Sequence, residues 1–156
     1  MYPDMTMEEA TALHGAYALS FPGVKQYQRY CFNLINREGV GTNLYGRRYY
    51  GMSGHNYANA AVQGTGADLL KEKIIELDTF IQNNGYKTRM QMNIHDEISF
   101  IVPKEEVRII PKLQYIMQNL PGTLVPIVAE IEVSQSTWAD KTKGFTIHEN
   151  EITFDK

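Results

Sequence analysis

Apolar residues recur along this chain with two different periods, and the switches between them outline its elements. From Met7 to Ser20, Ala10, Leu13 and Tyr17 share one helical face, and Thr6 with Glu9 three residues on forms a capping box at the start. Pro22 and Gly23 interrupt. Val24, Tyr27, Tyr30, Cys31, Leu34 and Ile35 then follow a 3.6-residue stripe ended by Gly39. The aromatic and β-branched stretch VGTNLYGRRYYG, around Gly46, predicts a short hairpin. Ser53 is placed to cap, and Gly85 to close, the longest periodic segment, whose Leu69, Leu70, Ile74, Leu77, Phe80 and Ile81 lie on one side. The period then drops to two, so TRMQMNI and ISFIVP read as strands. KEEVRIIPKLQYIMQNLPG is an amphipathic helix in which Pro111 requires a kink or a later start. VPIVAEIEVS alternates cleanly and predicts a third strand, and FTIHENEITF alternates about a turn at Glu149 and Asn150.

Antiparallel strands interrupted by helices define an α+β chain. Three such strands with helices on one face leave the other face free for a ligand. No internal repeat or low-complexity segment breaks the pattern.

Composition narrows the function classes. A chain of 156 residues suffices for one domain with a sizeable core. Its net charge of -3 is not that of a stand-alone nucleic-acid binder. A local basic patch or a bound metal ion can still dominate the field. One cysteine, Cys31, excludes an internal disulfide and suits a reducing compartment. No apolar run approaches the roughly 20 residues that span a bilayer, so no membrane partner is expected. The acidic start MYPDMTMEEA carries no signal-peptide core. Cys/His metal spacing, a Walker-type loop and a Ser-His-Asp arrangement are all missing from the sequence.

The candidate chemistry lies in two places. MQMNIHDEISFIV sets His95, Asp96 and Glu97 at the bend between two strands, where Asn-Gly or Asp-Gly would close a hairpin at lower cost. Met92, Ile94, Ile98, Phe100 and Val102 predict well-buried arms and hence a rigid tip. Hard oxygen ligands on a rigid scaffold are what a Mg²⁺ site requires. On the long helix, His55, Asn59 and Gln63 form a polar stripe at i, i+4 and i+8, followed by Gly64 and Gly66. Each glycine inside a helix costs about 1 kcal/mol relative to alanine, a cost usually offset by close approach of the backbone to something. His14 and His148 read as solvated, the methionines as packing, and Trp138 as an anchor for the C-terminal segment.

Together these segments resemble family A DNA polymerases, the bacterial polymerase I-like group. NAAVQGTGADLLK matches the family's Asn-x-x-x-Gln-Gly-Thr-x-Ala-Asp helix, and MNIHDEISFIV its His-Asp-Glu palm hairpin. FPGVKQYQRY, GTNLYGRRYY and VAEIEVSQSTWAD resemble, in order, a fingers segment, a Thr-x-x-Gly-Arg-Arg segment and the closing Trp-containing end. The resemblance covers roughly residues 8 to 140. It implies a palm-type antiparallel sheet preceded by a helical fingers remnant, with residues 1–39 as fingers and 40–156 as the C-terminal part of the palm. It implies addition of deoxynucleoside triphosphates to a primer on template DNA, through two Mg²⁺ ions. Asp96 matches the metal-ligand aspartate, Glu97 its less critical neighbour, and His95 a residue touching the primer backbone. Asn59 and Gln63 match groups facing the duplex minor groove, whose acceptors are nearly the same for every correct pair. Arg47, Arg48 and Lys71 are candidate phosphate contacts.

The departures are also informative. His55 stands where most members carry an arginine, and the FTIHENEITFDK tail extends beyond where many members end. The family's Asp-Tyr-Ser-x-Ile-Glu-x-Arg segment, with the other metal aspartate, does not occur among these residues. Nor does the Arg-x-x-x-Lys fingers helix that grips the triphosphate. The expectation is therefore a C-terminal part of a polymerase that is inactive alone and completed by a further polymerase segment or chain, with a tendency to self-associate. The alternative is a non-catalytic DNA-binding or assembly module.

Overall fold

In the computed structural model, residues 5–154 are described. The chain divides into two compact units, Met1–Asp68 and Leu69–Lys156. The fingers–palm division expected at residue 39 is a functional one, and packing does not test it.

The first unit opens with helix α1, Met7–Ser20. Its capping box is formed as the sequence predicts: the Glu9 N–H donates to Thr6 Oγ1, and the Thr6 N–H donates to the Glu9 carboxylate at 2.8 Å. Leu13 and Tyr17 remain exposed, however, and no residue of α1 is buried. Helix α2, Pro22–Glu38, starts with proline in its first turn, where the missing N–H costs nothing. It ends at Gly39, whose φ of 69° is left-handed. Cys31 and Ile35 of α2 are buried with Tyr57, Ala58 and Ala61 of α3, the helix Gly54–Asn83. The two helices approach closely at Gly54, where a Cβ would stand 2.4 Å from the Phe32 Cα. Between them lies the ribbon of β1, Val40–Thr42, and β2, Arg48–Tyr50, the hairpin expected around Gly46.

In the second unit, Leu77 and Ile81 of α3 meet Ile109 and Leu113, flanked by Met90, Ile98 and Phe100. Lys73, on the apolar side of the helix, is only 2 % exposed. Its Nζ is satisfied at 2.7 Å by the Glu76 carboxylate and at 2.7 Å by the Asn119 carbonyl, so one lysine caps the end of helix α4, Ile110–Gln118. Pro111 is accommodated by a later start: Lys104–Ile109 forms a 3₁₀ segment and the α-helix begins at Ile110.

Glu106, in that 3₁₀ segment, accepts from the backbone N–H groups of Lys87 and Thr88 and from the Thr88 hydroxyl. Burial raises its pKa, but these donors outweigh it and hold the carboxyl below its ordinary range. A depressed folded-state pKa stabilises above the unfolded value, and the contribution is lost as pH falls through the folded one. Stability of the parent should therefore fall on acidification below the ordinary glutamate range. The fall should be shallower in Glu106→Gln, as thermal unfolding across that acid window will show; equal slopes would refute this role.

The α+β class stands, but its strands pair differently from expectation. β3, Arg89–Ile94, and β4, Glu97–Ile101, form an antiparallel ribbon with a register shift between Met90 and Met92. Gln91 is the extra residue of this bulge. Residues beyond a bulge change face, so Met92 and Ile94 lie opposite Ser99 and Glu97 rather than beside Ile98 and Phe100. They are 40 % and 39 % exposed, and the expectation that both arms are well buried is corrected accordingly. The third strand expected in VPIVAEIEVS is also corrected. Among the described residues that segment pairs only through a bridge between Val133 and Thr142, while Gln114 and Gln118 of α4 donate to the Ala129 carbonyl. Alternation reports an extended backbone with two faces; it does not supply a neighbouring strand edge. The tail forms the expected hairpin, β5 Phe145–His148 with β6 Glu151–Phe154.

Candidate metal and nucleic-acid site

His95 and Asp96 form a two-residue loop between the paired residues Ile94 and Glu97. His95 takes φ of 53°, in the left-handed region where glycine is the usual occupant of a hairpin loop. A non-glycine residue there carries a backbone cost, and such costs cluster at functional sites. The loop holds His95 and Asp96 at the exposed end of the ribbon. Asp96 makes no side-chain hydrogen bond among the described residues, so its oxygens are available as hard donors. Glu97 begins β4 and is engaged: Lys141 Nζ lies 3.0 Å from each of its carboxylate oxygens and 3.1 Å from Glu132. Among the described residues, no group of three His, Cys, Asp or Glu side chains is arranged to hold a metal ion.

On α3, His55, Asn59 and Gln63 are all exposed on one helical face. None of the three side chains makes a hydrogen bond among the described residues. Gly64, next to Gln63, is explained within the unit: a Cβ there would stand 1.8 Å from the Tyr49 hydroxyl of β2. That hydroxyl is buried and bonds no protein group among the described residues. Gly64→Ala should destabilise the chain by about 1–3 kcal/mol through overpacking. Tyr49→Phe, which removes the offending atom, should recover most of the loss, measured by urea unfolding of both single variants and the double. Gly66 is different, because a Cβ there would meet nothing within 4 Å.

The basic candidates separate. Arg47 is held by a two-point ion pair with Asp68, Nε to Oδ2 at 2.9 Å and a terminal nitrogen to Oδ1 at 2.6 Å. The hydrogen bonds to Asp68, then its charge, raise the Arg47 pKa. Asn43 completes the network, donating to Asp68 at 2.8 Å and accepting the N–H groups of Tyr45 and Arg47. Arg47 thus fixes the β1–β2 loop to the helix. Arg48 is exposed, its pKa raised by the neighbouring Tyr50 hydroxyl. Lys71 is exposed on α3. The sequence alone marks neither Asn43 nor Lys141. Their signals were weak: an asparagine in a turn, and a lysine three residues after the single tryptophan.

The family model for DNA polymerase family A matches residues 3–140, and the chain belongs to that family. It is 30% identical over 149 residues to DNA polymerase I of Bacillus subtilis, a match covering 87% of this chain and 17% of that protein. It is 30% identical over 142 residues to DNA polymerase DpoZ of Salmonella phage PMBT28, covering 87% of this chain and 23% of the relative. Among solved structures, the polymerase domain of Pol1 from M. smegmatis, in complex with DNA primer-template and dNTP, aligns with a TM-score of 0.72 at 28% identity. That alignment covers 78% of this chain and 24% of the other. The chain therefore spans about a sixth of the length of a bacterial relative such as that from Bacillus subtilis. No described helix is long and apolar enough to cross a membrane.

Proposed function

We propose that this chain supplies the His-Asp-Glu hairpin and the duplex-facing helix of a template-directed DNA polymerase. Its partners are then primer–template DNA, deoxynucleoside triphosphates, and further polymerase segments carried on the same polypeptide or another. The observation that carries this reading is an uncommitted aspartate, Asp96, held at the tip of a ribbon by a left-handed His95 in a chain of family A.

The donor set fits Mg²⁺. This ion keeps several waters and takes one or two carboxylates together with substrate phosphates, so a protein need not enclose it. Asp96 would be a ligand, with Glu97 beside it. The ions, when bound, would supply Lewis-acid activation of the primer hydroxyl and charge stabilisation of the triphosphate. His95 would steady the primer backbone near its end. Asn59 and Gln63 would donate to minor-groove acceptors, which are shared by correct pairs, and so test pair shape without reading sequence. His55 extends the same face, and the open space over Gly66 suits close approach of a duplex. Arg48 and Lys71 would contact phosphates. Arg47, already paired with Asp68, would act mainly by fixing the loop that presents Arg48.

One observation favours a second reading, that of a DNA-holding or assembly module without chemistry: the described residues bring together no three-ligand cluster. The test is primer extension by the completed polymerase carrying Gln63→Ala. Loss of one hydrogen bond of about 1 kcal/mol should slow extension roughly fivefold or blur the distinction between matched and mismatched termini. Parental kinetics on every terminus would reduce the helix to packing alone.

A further inference from the structure

The family match ends at Asp140, and the next residue, Lys141, reaches back to the hairpin tip. Its Nζ meets both oxygens of Glu97 at 3.0 Å and Glu132 at 3.1 Å, and lies 4.8 Å from the centroid of the Trp138 ring. The Lys141 side chain is half-buried, and its hydrogen bonds to Glu97 and then Glu132 raise its pKa, so it is charged over the whole working range. Three features thus fix one ammonium: two carboxylates and an aromatic face. The local backbone is fixed as well. Asp140 accepts from the Ser136 and Thr137 hydroxyls at the short 3₁₀ turn Trp138–Asp140, and Val133 bridges Thr142 beyond it.

We propose that Lys141 is a positioning residue that holds the Glu97 carboxylate back from direct ligation of a divalent ion, so that the hairpin offers Asp96 alone. This rests on the polymerase reading of the hairpin. The physical argument concerns occupancy. A carboxylate with both oxygens on an ammonium can join a divalent cation only by breaking those bonds or by bringing the ion into repulsion with that ammonium, so its ligation is weakened. Adjacent Asp96 has no such partner among the described residues. The chain therefore treats two neighbouring acids differently, one as a ligand and one as an anchor for the segment that follows the family match. It also accounts for an otherwise unexplained pairing of Glu132 with the same lysine.

The test is Mn²⁺ binding to the full 156-residue chain by calorimetry, a readout independent of polymerase activity, with Trp138 fluorescence checking that the C-terminal segment keeps its fold. Lys141→Met should tighten Mn²⁺ several-fold. The gain should vanish when Glu97→Gln is added, because the freed carboxylate is then gone. Lys141→Arg, which can keep both bonds, should stay within about twofold of the parent. An unchanged affinity in Lys141→Met overturns the proposal. So does a gain that survives Glu97→Gln, since that would be a general effect of removing a positive charge. Asp96→Asn separates this inference from the reading it rests on. If it leaves Mn²⁺ affinity intact while Lys141→Met still raises it in a Glu97-dependent way, the lysine clamp stands and the metal role of Asp96 fails.

Discussion

Asp96→Asn, in a polymerase completed by its other segments, should lower primer extension about a thousandfold while leaving DNA affinity nearly unchanged. Losing one ligand of a metal that stabilises transition-state charge costs several kcal/mol, and each ~1.4 kcal/mol is a factor of ten in rate. The substitution removes little surface, so the duplex contacts of the helix and its basic residues persist. Glu97→Gln should cost far less, within about tenfold, because its carboxylate is tied to Lys141. Single-turnover extension and anisotropy-based DNA binding on the same preparations check both statements. Equal and mild effects of the two substitutions would leave the tip as an acidic turn and nothing more.

The second large effect is an absence of activity. Supplied alone with Mg²⁺, primed template and deoxynucleotides, these 156 residues should extend no primer above the level of the Asp96→Asn control. Two ions held at reacting distance require carboxylates from more than one element. Three further acids are already paired: Asp68 with Arg47, Glu130 with Lys143 and Glu132 with Lys141. Nothing in the sequence replaces the lysine and arginine pair that the family uses on the triphosphate. The same chain should self-associate with rising concentration, since Leu124, Val125 and Val128 stand exposed in one short segment. Sedimentation velocity reads that directly. Adding a segment that bears the second aspartate and the fingers helix should restore extension. Robust extension by the purified chain alone, abolished by Asp96→Asn, would overturn the half-site reading.

Much of the architecture was legible because it is local. The capping box at Thr6 and Glu9 depends on residues three apart, and the left-handed Gly39 follows from the last turn of its own helix. The hairpins at Gly46 and at Glu149 likewise close over short loops. The candidate site was legible in its residues, because an acidic pair at a bend and an amide stripe at four-residue spacing are patterns in the sequence itself. The engagement of those residues was not. Arg47 is a candidate phosphate contact by sequence, and only the fold pairs its guanidinium with Asp68, 21 residues away.

What the sequence by itself determined is the set of helices, the hairpin with His95, Asp96 and Glu97 at its tip, and membership of a polymerase family. Each of these rests on spacing within a few turns or on ordered motifs. Tertiary structure alone decided the rest. A single extra residue, Gln91, reversed the face of Met92 and Ile94, because a strand's side chains alternate and a bulge shifts that count by one. Among the described residues, Val125 to Ser134 gained a single bridge, Val133 to Thr142, in place of a strand, because alternation does not specify which edge is free to pair. Lys73 became a buried cap at an apolar position because the end of α4 brought it a carbonyl. Glu97 was separated in role from Asp96, its neighbour in the chain, because a lysine 44 residues further on closed over one carboxylate and left the other open.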